Sequence, residues 1–430
     1  MLRTRFLTAL FAGTLLLLPL PTLAAEAEPD LWVTMGRDAF DALRAEASLQ
    51  PALSAQRFAE QDGVVVTRLV SSEIPLIAEA MHEKFHRCGG FMAHDSYAAA
   101  VQALGRADRG RLGQPFDYQL DQQGLVNKLQ SELEESRIVD TIRSLSQDFA
   151  NRFYSQESGE NASVWIRNLW AGYANSRPDV EARLVSHSDW RQPSVELTIP
   201  GGSKADEVVV LGGHLDSVVW SGGQGPGFAA PGADDNASGI ASLSEVIRVA
   251  LANDFRPQRT IKFFGYAAEE VGLRGSQEIA NSYEAAGTEV VGALQLDMTA
   301  FQGSAEDIAL LSDFTDPTLT AFVGQLIDTY QPTLVRTSTA CGYGCSDHAA
   351  WHAAGFPAVM SAEARFQDTN PRLHTTGDTL ANLGNSAAHA IKFARLGMAF
   401  MVELGIDAGA EIFTDGFEAG NLSAWSESVP

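Results

Sequence analysis

The sequence predicts an α/β domain in which helices cover both faces of a largely parallel β-sheet. Short apolar runs typical of buried strands occur at residues 208–211, 261–264 and 293–296. Segments with helical spacing separate these runs, and strands that alternate with helices favour parallel pairing. The roughly 290 residues of this region are enough for one domain with a substantial core.

Helical spacing marks the segments around the strands. Apolar residues recur at this spacing before the first strand: Ile138, Ile142, Leu145, Phe149 and Phe153. A second set forms one face of a helix after it: Ile240, Leu243, Ile247 and Leu251. Ser276 is a candidate N-cap for a helix that begins at Gln277. A last apolar helix is predicted through Phe400 and Leu404.

The composition is that of an ordinary globular protein. Hydrophobic residues make up 45% and charged residues 20% of the 430 residues, so disorder, collagen and coiled coil are excluded for the whole chain. Asp and Glu number 54 against 30 Lys and Arg, a formal net charge of −24. Because so acidic a surface repels phosphate backbones, nucleic acid is not expected as a partner.

The first 24 residues predict a signal peptide. Arg3 and Arg5 precede an apolar run at residues 6–20, and Thr22 and Ala24 are small residues at the positions that a signal peptidase reads. A membrane anchor is the alternative, but a helical span needs about 20 apolar residues. We therefore expect a secreted protein, extracellular or periplasmic, whose mature form has no membrane partner.

A linker separates the next segment from the main domain. Residues 105–115 contain three arginines among three glycines and end in a proline, which is typical of an exposed, protease-sensitive connection. We interpret residues 25–115 as an N-terminal pro-segment and a candidate inhibitor, with an ordinary small domain as the alternative. Buried or solvated side chains explain a cluster in this segment better than metal binding does: His82, His86, Cys88 and His94.

The main domain is predicted at residues 116–406, and an acidic tail comes after it at 407–430. This tail contains glycines and aromatic residues and shows no helical period. It resembles short terminal tails of other exported bacterial proteins, and a frayed end without a role explains it equally well.

Residues suited to metal binding follow the predicted strands, where parallel sheets collect their chemistry. His214 and Asp216 follow the first strand, and a carboxylate on the second ring nitrogen would fix the tautomer of a metal-binding imidazole. This short pattern also arises by chance. Asp297 follows a later strand directly, and His374 lies in a polar loop.

Two acidic pairs lie in glycine-rich turns. Asp234 and Asp235 precede a helix, where Asp or Asn could simply cap the N-terminus, although a carboxylate can also bridge two cations. Glu269 and Glu270 follow the second strand, and both reach one site only if the chain leaves the strand there. One glutamate would then bind metal while the other transfers protons. A solvated acidic pair is the alternative.

Together these groups predict a site with two zinc ions. Histidine and carboxylate ligands suit zinc. The two histidines, Asp297 and one carboxylate from each acidic pair make five ligands, which exceed what one tetrahedral ion takes from a protein. Two Zn²⁺ ions that share one carboxylate would use all five and leave positions open for water and substrate.

Cys341 and Cys345 lie four residues apart around glycines, close enough for a bond if the chain turns. In an exported protein a disulfide is favoured over a zinc-binding pair, because the chain has no second cysteine pair. The disulfide would hold Tyr343 in place. Residues 346–348 (SDH) are not interpreted as a serine triad, since neighbours in sequence do not face one another in the required geometry.

At these motifs the sequence resembles the secreted bacterial leucyl aminopeptidases, a family of zinc exopeptidases with two catalytic ions. The resemblance covers about residues 127–405 and includes four motifs: 268–276 (AEEVGLRGS), 294–299 (LQLDMT), 341–348 (CGYGCSDH) and 374–376 (HTT). It implies the zinc exopeptidase (phosphorylase/hydrolase-like) fold, a mixed, mostly parallel sheet flanked by helices. It also implies removal of an apolar, leucine-like residue from peptides with a free N-terminus.

The resemblance assigns roles to the candidate residues. The two zinc ions would have five ligands: His214 and Asp297 on one ion, Glu270 and His374 on the other, and Asp235 between them. Glu269 matches the residue that takes a proton from the zinc-activated water and returns it to the leaving nitrogen. Asp216 matches the partner of His214, and Tyr343 matches a tyrosine that holds the substrate or intermediate. The peptide bond after Asp235 is expected to be cis.

An apolar wall for the first side chain of the substrate is expected from Met298, Met360, Phe366 and the cysteine loop. Ala362 and Thr369 stand where close relatives carry aromatic rings. The cavity is therefore expected to be wider, and the preference for leucine is less well supported than the chemistry.

Other proteins of this fold are the alternatives. Glutaminyl cyclases work with one zinc, and the presence of both His214 and Asp297 favours a second ion. A carboxypeptidase needs a basic group for the terminal carboxylate of its substrate, and the sequence does not identify one. A non-enzymatic relative of the transferrin-receptor type would lack ligands or the base, whereas all are present here.

Overall fold

The computed structural model describes residues 30–45, 58–61, 63–85, 90–106, 116–149, 151–219 and 228–406. The predicted signal peptide at 1–24, the linker residues 107–115 and the tail at 407–430 lie outside these residues. Within the described ranges, no helix combines the length and the apolar character that crossing a membrane requires.

The N-terminal segment has its own small antiparallel sheet. Its strands and helices follow in chain order: β1 (Asp30–Gly36), α1 (Arg37–Arg44), β2 (Ala59–Gln61), β3 (Val64–Val70), α2 (Ile74–Phe85), β4 (Phe91–His94) and α3 (Tyr97–Arg106). The strands pair in the order β2-β3-β1-β4. An apolar core that includes Val33, Phe40 and Ile77 continues into the main domain, where Phe153 and Val271 join it.

His94 is an ordinary buried histidine of this segment. Its ring shares a 2.9 Å hydrogen bond with Thr34, and burial lowers its pKa to about 4, so the ring is neutral at pH 7. Residues 86 and 88 of the cluster considered for metal binding lie outside the described residues, as does the side chain of His82.

The main domain contains an eight-stranded mixed sheet. Its strands are β5 (Glu181–Val185), β6 (Ser194–Ile199), β7 (Lys204–His214), β8 (Arg259–Tyr266), β9 (Glu289–Leu296), β10 (Ile308–Leu311), β11 (Arg336–Thr339) and β12 (Ala358–Ala362). They lie in the order β11-β10-β12-β9-β7-β8-β6-β5. Four pairings are parallel, including those of β7 with β8 and β9, and three are antiparallel. The predicted mixed, mostly parallel sheet is confirmed.

Helices cover both faces of this sheet. They are α4 (Gln123–Gln130), α5 (Glu135–Gln147), α6 (Glu157–Tyr173), α7 (Ala237–Ala252), α8 (Arg274–Ala286), α9 (Pro317–Tyr330), α10 (His348–Ala353) and α11 (Ala390–Gly405). Val209 and Leu211 of β7 join the core that includes α7 and α11. Val208 and Val210 join the core that includes α8 and α10. Because successive strand side chains point to opposite faces, burial of both sets explains the unbroken apolar run.

Two predicted helix boundaries were wrong. The helix at 138–153 ends at Gln147, and Phe153 comes after a turn in which its backbone N–H donates to the side chain of Asn151. Apolar spacing continues past the end of α5 because the turning chain also buries these side chains. The helix predicted from Gln277 begins at Arg274, after Leu273 in a left-handed conformation, so Ser276 is not its cap.

Candidate metal centre

Three adjacent parallel strands end at one edge of the sheet, and each brings a predicted ligand to it. β7 ends at His214, the chain after β8 carries Glu269 and Glu270, and Asp297 follows β9 directly. Parallel neighbours place their carboxyl ends together, so these side chains converge. Asp235, in the turn before α7, reaches the same place.

The distances show how the predicted ligands face one another. Nε2 of His214 lies 2.9 Å from Oδ1 of Asp235 and 3.3 Å from Oδ1 of Asp297. Nε2 of His374 lies 3.0 Å from Oδ2 of Asp235 and 3.0 Å from Oε2 of Glu270. Asp235 therefore presents one carboxylate oxygen to each histidine, which is the arrangement of a carboxylate that can bridge two ions.

The burial of these donors fits a metal site. All five predicted ligands are buried, with at most 3% of each residue exposed to solvent: His214, Asp235, Glu270, Asp297 and His374. Apart from the facing imidazoles, no hydrogen bond from the described residues reaches the carboxylate oxygens of Glu270 or Oδ1 of Asp297. Buried carboxylate oxygens without donors are costly, and a cation bound by nitrogen and oxygen would satisfy them.

Glu269 lies beside this set. Ligand-capable atoms of His214, Glu269 and Asp297 lie within 4.8 Å of one another. Burial raises the pKa of Glu269 well above its usual range, with Glu270 adding to the rise and His214 opposing it. Burial would also raise the pKa of Asp235, but His214 and His374 outweigh it and hold that pKa far below the usual range. Burial thus favours the protonated form of Glu269, whereas the two histidines favour the ionised form of Asp235.

Asp216 joins the first histidine to the glutamate pair. Its carboxylate lies 3.4 Å from Nδ1 of His214, and it accepts the backbone N–H groups of Glu269 at 3.0 Å and Glu270 at 3.1 Å. The sequence predicted only the contact with His214. The hydrogen bonds to the backbone of Glu269 and Glu270 orient the segment in which the chain leaves β8.

The bend after β8 depends on left-handed backbone conformations. Ala268 has φ 57° and Gly272 has φ 105°. A Cβ atom at Gly272 would lie 2.9 Å from Ala93, and one at Gly275 would lie 2.3 Å from the carbonyl oxygen of Ala267. The predicted glycine-rich bend is therefore confirmed, and both glycines are needed for close backbone approach.

The turn before α7 separates the roles of its acidic residues. Asn236, rather than either aspartate, caps α7 by accepting the N–H of Gly239 at 3.0 Å. Asp234 accepts from the backbone of Ala300 and from the side chain of Asn370, and burial raises its pKa to about 6. The bond between Asp235 and Asn236 is cis, as expected. Only Asp235 of the pair contacts the two histidines.

Two residues that support the ligands were not assigned from the sequence. Ser346 donates to Oδ2 of Asp297 at 2.5 Å, so this serine orients a predicted ligand. The carboxylate of Asp378 accepts the N–H groups of Asp234 and Asp235 at 3.0–3.2 Å. Its place in the polar loop four residues after His374 was the signal that could have identified it.

The predicted substrate wall is a distinct apolar cluster beside the centre. Its members include all of the predicted positions: Met298, Met360, Phe366, Tyr343, Cys341 and Cys345. Cys341 and Cys345 form the predicted disulfide, and the rings of Tyr343 and Phe366 lie 6.1 Å apart at 75°. Ala362 belongs to the same cluster, and Thr369 hydrogen-bonds to the carbonyl of Phe366.

Comparisons with known proteins extend these observations. Residues 194–399 match peptidase family M28. A probable leucine aminopeptidase of Arthroderma otae is 36% identical over 292 residues, 67% of this chain and 77% of that protein. The crystal structure of the Legionella pneumophila LapA aminopeptidase has a TM-score of 0.74 and 26% identity, and the match covers 89% of this chain and 100% of that one. A Porphyromonas gingivalis glutaminyl cyclase, with a TM-score of 0.51 and 14% identity over 63% of this chain and 98% of that one, shares the fold.

The fold and the donor set at the sheet edge are those of a zinc-dependent aminopeptidase. The chain belongs to peptidase family M28, and it is a hydrolytic aminopeptidase. The predicted resemblance to leucyl aminopeptidases is confirmed at the level of this zinc aminopeptidase family.

Proposed function

We propose that the chain is a secreted two-zinc leucine aminopeptidase that removes apolar N-terminal residues from peptides. The observation that carries this proposal is the position of Asp235, whose two oxygens face His214 and His374 at 2.9 and 3.0 Å. His214 and Asp297 would hold one zinc, and Glu270 with His374 the other. A bridged pair of this kind is typical of hydrolytic two-metal sites.

The residues around the pair have separate tasks. Zinc, when bound, lowers the pKa of coordinated water toward neutrality and polarises the scissile carbonyl. Glu269 is placed beside His214 and Asp297 to accept the water proton and return it to the leaving nitrogen. Asp216 keeps Glu269 in position through its backbone N–H. Tyr343 would hold the substrate or the intermediate from the disulfide loop.

The apolar cluster supports an apolar first residue. Met298 follows the ligand Asp297 directly, so the cluster that contains Met298, Met360 and Phe366 begins at the metal centre. Because the side chain of Ala362 is small, the pocket beside this cluster is wider than it would be with an aromatic ring at this position. We therefore propose that the pocket accepts phenylalanine as well as leucine.

The purified protein is expected to cleave leucyl- and phenylalanyl-p-nitroanilide at least about tenfold faster than the glutamyl and lysyl compounds, because an apolar pocket strips water from a charge without pairing it. Acetyl-leucyl-p-nitroanilide, which lacks the free amine, is the control and should not be cleaved. A chelator should abolish activity and added zinc should restore it. Cyclisation of N-terminal glutamine with one zinc per chain would instead favour a glutaminyl cyclase.

The N-terminal unit is a candidate inhibitor because β4 lies against the loop that carries the glutamates. The backbone N–H of Ala93 donates to the carbonyl of Gly272 at 3.0 Å, and Gln277 donates to the carbonyl of Ala93 at 2.9 Å. Met92 packs on the disulfide loop, since a Cβ atom at Gly344 would lie 3.0 Å from its sulfur. We propose that this unit limits substrate access until the linker at 105–115 is cut.

Cutting the linker with trypsin is expected to raise kcat/KM on leucyl-p-nitroanilide by about tenfold or more, because substrate access would no longer depend on displacing β4. The control is a chain with Arg106→Gln, Arg109→Gln and Arg111→Gln, which trypsin should leave intact and at its initial activity. Equal kcat/KM for the intact and the cut protein would contradict inhibition.

The proposed export of the protein is supported by the order of charged and apolar residues in the first 24 positions and by the disulfide.

A further inference from the structure

Arg152 is a buried arginine whose guanidinium group donates hydrogen bonds to backbone carbonyl oxygens. It lies shortly after α5 and is 1% exposed. Its guanidinium donates at 2.6–3.1 Å to four carbonyl oxygens: those of Leu145, Leu215, Pro231 and Gly232. The planar fork of an arginine is the side chain that can serve several acceptors in fixed directions.

Three of these carbonyls belong to the two segments that carry His214 and Asp235, and the fourth, that of Leu145, belongs to α5. Leu215 follows His214 directly, and Gly232 lies three residues before Asp235. Gly232 has φ 50°, and a Cβ atom there would lie 2.7 Å from Nη2 of Arg152. One rigid side chain therefore joins both segments at close range.

Arg152 also brings positive charge to a region rich in carboxylates, while its guanidinium hydrogen bonds go to backbone carbonyls. Burial lowers its pKa to about 10, and the charges of Asp378, Asp235 and Asp216 oppose that change, so the group is charged at pH 7. Because carbonyls take its hydrogen bonds, the carboxylate oxygens of Asp235 stay directed at the histidines. An arginine paired directly with Asp235 would compete with a metal ion.

We propose that Arg152 is a positioning residue for the zinc pair, and above all for the ion between His214 and Asp235. This inference rests on the proposed two-zinc function. Arg152 acts through the backbone of Leu215, Pro231 and Gly232, which sets the separation of the two ligands. Lysine cannot replace it, because one ammonium group cannot reach four carbonyls in this arrangement.

The test is zinc titration of metal-free protein by calorimetry, with wild type compared to Arg152→Lys. In the variant, one of the two binding steps is expected to weaken by about 10–100-fold while the other stays within about threefold, as for groups that orient metal ligands. Excess zinc should restore part of the kcat that Arg152→Lys loses through the weaker zinc step. The thermal unfolding of the metal-free protein is measured alongside.

Arg177→Lys is the matched control. Arg177 is also buried, at 3% exposure, and donates to the carbonyl of Phe255 and to Asp179. This variant should lower the unfolding temperature and leave both zinc steps unchanged. Two unchanged zinc steps in Arg152→Lys, with only the unfolding temperature lowered, would overturn the proposal by reducing Arg152 to a general role in stability.

A second variant covers failure of Arg152→Lys to fold. Arg152→Gln, which is neutral and keeps two donors, should show the same difference between the zinc steps. If neither variant folds, the proposal is overturned, because Arg152 is then required for the fold itself. The wild-type titration separately tests the proposed function, since one zinc per chain there would remove the pair of ions.

Discussion

Glu269→Ala is expected to fold and to bind zinc but to lose about three orders of magnitude in kcat, which corresponds to about 4 kcal/mol of transition-state stabilisation. The reason is that Glu269 is the buried carboxyl beside His214 and Asp297 that the proposed ligand set leaves free to transfer protons. The measurements are kcat and KM on leucyl-p-nitroanilide, zinc content per chain and circular dichroism.

Two further variants make this result specific. Glu269→Gln has the same shape and should be nearly as inactive, because the amide cannot accept and return a proton. Glu196→Gln alters another buried glutamate, which lies on β6 and pairs with Arg183 and Lys262. It should lose stability and keep kcat. Near-normal turnover in Glu269→Ala would remove this residue from the mechanism.

Asp235→Asn is expected to abolish the binding of at least one zinc ion and to lower kcat/KM by about three orders of magnitude. The reason is geometric, because both oxygens of Asp235 face a histidine, and an amide offers one oxygen and one nitrogen that cannot bind a cation. Metal analysis and zinc titration of the purified variant measure the loss directly.

Asp316→Asn is the control for this change. Asp316 caps α9 by accepting the N–H of Leu319 at 2.8 Å, and asparagine caps helices about as well as aspartate. This variant should keep two zinc ions and full activity. An Asp235→Asn protein that still bound two ions tightly would show that this carboxylate does not bridge them.

Much of the site could be predicted because parallel strands bring the residues after their carboxyl ends to one edge of the sheet. The apolar runs before His214 and Asp297 located β7 and β9, but only the tertiary structure shows that these two strands are neighbours in the sheet. The turn at Asp234 and Asp235 left the cap undecided by residue type alone. The structure gives the cap to Asn236, because its side chain reaches Gly239.

Other features could not be predicted because they depend on contacts between distant segments. Arg152 lies within an apolar pattern that predicted a longer helix, so it had no distinguishing signal. Ser346 and Asp378 lie in polar motifs whose hydrogen bonds reach Asp297 and the backbone of Asp235. Long-range partners of this kind leave no periodicity in the chain.

The sequence by itself determined the class of fold, the disulfide loop and the types of donor available to zinc, since apolar period, residue chemistry and short spacing are local properties. Only the tertiary structure decided which oxygen faces which histidine, and that Arg152 joins the segments of His214 and Asp235. Those facts are distances of a few ångströms between residues up to 139 positions apart, and packing of the whole domain sets them.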